Sequence, residues 1–294
     1  TAVLTSIKEV LAKEKPDLVL VHGDTSTAFV TALACFYSGI KVGHVEAGLR
    51  TYNIFSPYPE EFNREAISLI SELNFAPTEF ARQNLLNEKK DPANIFVTGN
   101  TGIDALKTTV SSDYRHELLD WAGDSRILLI TAHRRENHGE RIDRIIEAIK
   151  YLAGKYGDHT FVIPVHPNPN VKNKIHERLG GYSNIKLLQP LDYPYLVYLM
   201  KNAKLILTDS GGIQEEAPSF GCPTLVMRYE TERQEGIDAG VSVLVGADYD
   251  KIVSLSEQIL SDTRENTRLK ASNPYGDGTS AKQITQIINK FFNI

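Results

Sequence analysis

The apolar residues of this chain come in short, nearly unbroken runs instead of alternating with polar ones. Residues 17–21 read Asp-Leu-Val-Leu-Val, and comparable runs occupy 41–45, 126–130, 160–165, 185–188, 205–207, 224–227 and 241–245. A strand with one wet face alternates apolar and polar side chains, whereas a continuous Val/Ile/Leu run needs both faces covered, as in a parallel sheet packed between helices. Helical patterns lie between most of these runs. Residues 1–15 place Val3, Ile7, Val10 and Leu11 on one stripe before Pro16, and a second helix over about 25–38 closes at Gly39. Strand–helix alternation of this kind predicts a doubly wound α/β fold. A length of 294 residues leaves room for two domains of roughly 150 each. Breakers and polar residues gather over 91–126, around a short apolar run at 95–97. The boundary is therefore expected there, with 1–98 forming a first domain and 99–279 a second. The last helix, 280–294, is assigned to the first. The expected architecture is two doubly wound Rossmann-like domains with a cleft between them.

Composition narrows the function classes. Lys and Arg number 32 against 37 Asp and Glu, for a net charge of −5, so no global field favours nucleic acid, and any anion must be gripped locally. No stretch approaches the roughly 18 apolar residues of a membrane span. Cys35 and Cys222 stand alone in apolar contexts, which points to small buried side chains in a reducing cytoplasm and not to a disulfide framework or zinc site.

Functional groups of such folds gather where strands end and loops begin. His22-Gly-Asp-Thr25 leads into a helix, so Asp24 or Thr25 is either its cap or part of an anion site. Glu46 follows a buried strand, and its structural alternative is an ion pair with Arg50. Glu60 and Glu61 open a helix behind Pro57 and Pro59, where the helix dipole favours acids in any case. His133, Arg134 and Arg135 follow the run 126–130 and suit a diphosphate, because guanidinium matches phosphate oxygens bidentately. Flanked by arginines, His133 is expected to donate as the neutral tautomer unless a bound diphosphate restores its proton. His166, on the rigid loop Pro164–Pro169, either caps the sheet or meets a ligand. Finally, Ser210-Gly211-Gly212 turns a strand into a helix whose first N–H groups suit a phosphate, and Glu216 further along suits a ribose diol.

Five stretches taken together, His22-Gly-Asp-Thr25, His44-Val-Glu-Ala-Gly-Leu-Arg50, Pro59-Glu-Glu-Phe-Asn-Arg64, His133-Arg-Arg-Glu-Asn137 and Asp209-Ser-Gly-Gly-Ile-Gln-Glu-Glu216, resemble the signatures of UDP-N-acetylglucosamine 2-epimerases. The resemblance runs along practically the whole chain. It implies a GT-B-like pair of domains, the second binding UDP, and a non-redox inversion at C2 that needs no metal or other cofactor. It also implies a catalytic set of Asp24, Glu46, Glu60 and His133, with Arg135, Ser210, Gly211, Gly212 and Glu216 holding the nucleotide. The 59–65 stretch is similar to the non-hydrolysing branch, which implies a second, activating UDP-N-acetylglucosamine held by Glu65, Arg134 and His166, and a homodimer in the cytoplasm. One departure stands out. The family opens with a strand and a Gly-Thr-Arg-Pro-Glu loop that this sequence lacks, so the resemblance implies a first domain without its opening βα units.

Overall fold

The structure, a computed structural model, describes residues 2–109, 126–261 and 272–294, apart from the side chains of Arg135 and Asn170. Most of the breaker-rich stretch 91–126 beyond residue 109 thus lies outside the described residues. Packing divides the chain into two units, Thr1–Asp104 with Tyr275–Ile294, and Ala105–Pro274.

In the first unit, helix α1 (Ala2–Glu14) precedes strand β1 (Leu18–His22), α2 (Ser26–Tyr37), β2 (Lys41–Val45), α3 (Glu60–Ile70), β3 (Leu73–Ala76), α4 (Glu79–Asn87), β4 (Ile95–Val97) and α5 (Thr101–Thr109, whose last residues cross into the second unit). All strand pairs are parallel, in the order β1-β2-β3-β4. Caps set the helix starts. The Thr25 hydroxyl accepts from Ala28 N at 3.2 Å and that of Thr78 from Ala81 N at 3.0 Å, each satisfying an N–H the helix cannot. On one face, Leu11, Ala28, Ala32, Cys35, Val42 and Ile67 form a buried cluster. On the other, Leu73 and Phe75 pack against Ile284 of the C-terminal helix α12 (Ser280–Phe292), with Ile287, Ile288 and Phe291 beside them. This return helix is also held by polar contacts, since Asp104 accepts from Ser280 N at 3.0 Å and Ala281 N at 2.9 Å. It caps α12 from another element, in place of an N-cap side chain of its own.

The second unit comprises β5 (Arg126–Thr131), α6 (Glu140–Lys155), β6 (His159–Pro164), α7 (Pro169–Leu179), β7 (Ile185–Leu188), α8 (Tyr193–Asn202), β8 (Ala203–Thr208), α9 (Gly211–Glu216), β9 (Thr224–Val226), α10 (Gln234–Asp238), β10 (Ser242–Leu244) and α11 (Tyr249–Leu260). Its parallel sheet runs β10-β9-β8-β5-β6-β7. Successive residues of β5 feed opposite clusters: Leu128 and Ile130 pack with Ile145, Ile149 and Ile252, while Ile127 and Leu129 pack with Leu199, Met200 and Ile213. That two-sided burial is why the strand reads as an unbroken apolar run. No helix among the described residues is long and apolar enough to cross a membrane.

Phe75 is fully buried beneath α12. Its truncation to Ala is expected to cost about 3–5 kcal/mol and to free α12 for early proteolysis. Urea unfolding with limited digestion reads both, and an unchanged midpoint would mean that the helix is held by its polar contacts alone.

Candidate active site

In the second sheet the chain steps outward from β5 through β6 to β7, then returns to lay β8 on the opposite side of β5. Ligands of open parallel sheets bind outside the carboxyl ends of the strands at such a reversal, because the loops there diverge and leave a crevice. Here the two ends are tied together. The Thr131 and Thr208 hydroxyls share a buried hydrogen bond of 2.6 Å, and Asp209 N donates to Thr131 O at 3.1 Å.

Asp209, fully buried just past β8, organises the β5 loop. Its carboxylate accepts from His133 N and Arg134 N, both at 2.9 Å, and from Asn137 Nδ2 at 2.9 Å. The His133 Nδ1 lies 3.2 Å from its Oδ1. Burial alone would push the Asp209 carboxyl up, but these hydrogen bonds and the His133 ring outweigh it and hold the group below the usual carboxylate range. An ionised carboxylate only accepts, so the His133 Nδ1 carries a proton and Nε2 is left for a ligand.

His133 stacks on His166 with ring centroids 5.5 Å apart, and both line a cavity of about 290 Å³ with Ser210, Gly212, Tyr193 and Glu216. Leu191, Leu196 and Ile213 form its apolar wall. The Tyr193 hydroxyl donates to Glu216 Oε1 at 3.1 Å. Desolvation pushes the Glu216 carboxyl up to about 7, against the smaller lowering effect of the Tyr193 hydrogen bond. Burial, with the neighbouring Glu216 charge, likewise raises Tyr193 well above the ordinary phenol range.

The glycines of the Ser-Gly-Gly turn divide their tasks. Gly212 lines the cavity, whereas Gly211 is buried behind it, where a Cβ would stand 2.7 Å from the Arg233 guanidinium carbon. Arg233 Nε donates to Glu215 Oε1 at 2.7 Å and its Nη1 pairs with Glu232. Arg228 connects Glu232, at 3.0 Å, with Glu136 of the β5 loop, at 2.7 Å. Gly211 thus makes room for a buried ionic lattice and does not itself face the cavity. Arg134 donates its backbone N–H to Asp209, while its own Nε is buried without a hydrogen-bond partner. Arg135 begins a single 3-10 turn, Arg135–Asn137, and its side chain lies outside the described residues.

In the first unit the loops after β1 and β2 interlock. Gly23 N donates to Val45 O at 3.0 Å, and the buried His44 Nε2 donates to Gly23 O at 2.9 Å. Burial pushes the His44 imidazole down to about 4, so it serves as a neutral strut. Glu46 adopts φ +68° and meets His22 Nε2 at 3.1 Å. The alternative ion pair of Glu46 with Arg50 is not formed: the Arg50 guanidinium turns away to Glu88, with contacts of 2.6 and 2.8 Å. Asp24 is held from α3, where Asn63 Nδ2 donates to its carbonyl at 2.8 Å and Arg64 Nη2 to its Oδ2 at 2.6 Å. Glu60 stands half-exposed at the first position of α3. Glu61 is fully buried and accepts from Thr51 N and Tyr52 N, each at 2.8 Å. Glu65 lies one turn on, its carboxyl raised by burial and by the Glu61 charge. Asp24 and Glu46 therefore share one interlocked pair of loops, and Glu61 proves to be a strut for loop 51–52.

A family model described as UDP-N-acetylglucosamine 2-epimerase matches residues 1–289. The chain belongs to the UDP-N-acetylglucosamine 2-epimerase family. A Bacillus subtilis relative named UDP-N-acetylglucosamine 2-epimerase is 48% identical over 284 residues, covering 96% of this chain and 75% of the relative. The Neisseria meningitidis family member solved with UDP-GlcNAc superposes with a TM-score of 0.92 at 45% identity, over 98% of this chain and 80% of that one. A Methanocaldococcus jannaschii member solved with UDP-GlcNAc and UDP gives 0.85 at 37%, over 98% and 80%.

Sequence reasoning passed over Asp209, Tyr193 and Arg64 as functional groups. The signal for Asp209 was an acid placed directly after the apolar run of β8, where only a ring of donors makes burial tolerable. Because folded Glu216 keeps its proton to a higher pH than the unfolded chain does, it favours folding below the ordinary carboxylate range. That contribution is lost as pH rises through about 7. The wild type should lose on the order of 2–3 kcal/mol more than Glu216→Gln between pH 5 and 8. Parallel unfolding curves for the two proteins across that range would show that the carboxyl titrates normally.

Proposed function

We propose that the chain catalyses non-hydrolysing epimerisation at C2, interconverting UDP-N-acetylglucosamine and UDP-N-acetylmannosamine. The observation that carries this reading is the His133–Asp209 pair beside Glu216 in the switch-point cavity, in a family whose solved members hold UDP-GlcNAc and UDP. The reaction proceeds by elimination and re-addition. The C2–H and anomeric C1–O bonds break, a C1=C2 double bond forms in a 2-acetamidoglucal, and UDP then re-adds at C1 while C2 takes a proton on its opposite face. Nothing is oxidised overall, which accords with the metal- and cofactor-free chemistry that the resemblance implies.

Asp24, Glu46 and Glu60 move the proton at C2. His133 presents Nε2 to the β-phosphate oxygen as UDP departs, and Asp209 steadies the ring. Glu216, once ionised, accepts from both ribose hydroxyls, with Ser210, Gly212 and Arg135 toward the phosphates. Ribose binding thereby draws the proton off Glu216. Glu65, Arg134 and His166 hold a second, activating UDP-N-acetylglucosamine. The protein acts as a cytoplasmic homodimer and supplies N-acetylmannosamine for surface polysaccharide.

Incubation with UDP-N-acetylglucosamine in D₂O tests this directly. The expected result is deuterium at C2 in both UDP-sugars. Accumulation of free N-acetylmannosamine with UDP would instead mark the hydrolysing branch, and no exchange at all would sink the epimerase reading. His133→Ala should slow exchange by about 10²–10³-fold, the usual loss for one donor aimed at developing charge, while substrate affinity falls far less. Equal losses in both would make His133 a ground-state contact. Glu46→Gln should lower the rate by on the order of 10²–10⁴-fold in a folded protein, and near-normal turnover would remove Glu46 from the proton path.

A further inference from the structure

We propose that Arg64 is a positioning residue for this reaction, its guanidinium holding the Asp24 carboxylate in one orientation and in its charged form. The inference rests on the reading that Asp24 acts at C2. It begins from an asymmetry in how α3 spends its side chains. Arg64 is almost wholly buried, at 3% exposure, and bridges two acids. One is Glu61, 3.3 Å away and fully buried, whose other oxygen is committed to the Thr51 and Tyr52 N–H groups. The other is Asp24, at the shorter 2.6 Å, whose side chain keeps 25% exposure. A counter-ion for Glu61 alone has no need of that second, tighter contact. Asn63, the preceding residue, fixes the Asp24 carbonyl at 2.8 Å, so the helix grips both the main chain and the side chain of the same residue.

A guanidinium suits this task because its flat fork fixes direction as well as charge, which a lysine ammonium does not. The charged and titratable groups near Asp24 include Arg64 and Glu61 from α3 and the His22–Glu46 pair at the ends of β1 and β2. Arg64 is in direct contact with the carboxylate, its Nη2 lying 2.6 Å from Oδ2. An opposite charge at that range ordinarily lowers a carboxyl pKa by about 1–3 units.

The test compares wild type, Arg64→Gln and Arg64→Lys by the pH dependence of C2 deuterium exchange and by carbon NMR titration of the Asp24 carboxyl. Arg64→Gln should lower kcat by about 10²-fold, as for a displaced reacting group, with KM changed much less. Its acid limb and the Asp24 titration should both move up by about 1–3 pH units. Arg64→Lys, which keeps a buried charge facing Glu61 and decides the matter should the Gln variant not fold, should hold both near the wild-type pH while kcat stays depressed. Wild-type kcat and acid limb in either folded variant, or an unmoved Asp24 titration in Arg64→Gln, would reduce Arg64 to a support of the fold. The NMR titration needs no substrate, so it reads the hold on Asp24 even if wild type exchanges no deuterium and the epimerase reading itself fails.

Discussion

A carboxylate without access to water fixes the arrangement of the second unit. Asp209 leaves β8 at the one place where strand order reverses, and an ion there is tolerable only inside a ring of donors. The donors it finds, the N–H groups of His133 and Arg134 and the amide of Asn137, belong to the loop after β5. Satisfying the charge therefore shapes that loop, and shaping the loop aims the His133 ring. Asn137 also donates to Met227 O at 3.0 Å, which ties the end of β9 into the same arrangement. Three strand ends are thereby registered by one buried charge.

The first unit reaches a comparable result with the polarity reversed. Among its buried ions is the cation Arg64, and the acids that neutralise it, Glu61 and Asp24, belong to a helix and to the loop after β1. Glu46 adds a different device. A residue with a Cβ at φ +68° sits in a region that glycine would occupy without strain, at a cost on the order of 1–3 kcal/mol. The backbone around it is over-determined by hydrogen bonds, with Ala47 N donating to Phe75 O and Gly23 N to Val45 O. Gly48, next but one, has φ +90° and no space for a Cβ against the Ala81 carbonyl. Strain held at Glu46, a residue proposed to move the C2 proton, and a position that only glycine fits make the Glu-Ala-Gly turn a device suited to aiming one carboxylate.

Much of this was legible in the sequence because it rests on local rules. The runs at 41–45, 95–97 and 185–188 coincide with β2, β4 and β7, and Thr25 caps α2. A two-sided parallel sheet writes itself into composition, so its strands could be found without knowing their partners. Long-range polar pairing leaves no such trace. Arg50 has Glu46 four residues away, yet bonds Glu88, 38 residues on, because Glu46 points toward His22. Likewise, nothing local distinguishes Gly211 from Gly212, although one makes room for Arg233 and the other faces the cavity. Acids and glycines declare a site's neighbourhood, while the assignment of each one depends on which distant residue arrives beside it.

The same dependence on partners explains how a chain of net charge −5 can hold a cavity suited to the diphosphate proposed above. Two acids stand at this cavity or directly behind it, and an anion would be repelled if both charges were felt there. Asp209 stays ionised, but its charge is spent on three N–H donors and a histidine ring, all of them short-range contacts. Among the described residues Glu216 has the Tyr193 hydroxyl as its hydrogen-bond partner, and burial pushes its carboxyl up to about 7, so near neutrality much of it carries no charge. Removing negative charge by opposite means, neutralisation of one acid and saturation of the other, leaves Ser210, Gly212 and the rings of His133 and His166 among the polar groups lining the cavity that an arriving anion would meet. A cavity with so little field of its own takes its affinity from oriented hydrogen bonds, and these select for the shape of the ligand as much as for its charge.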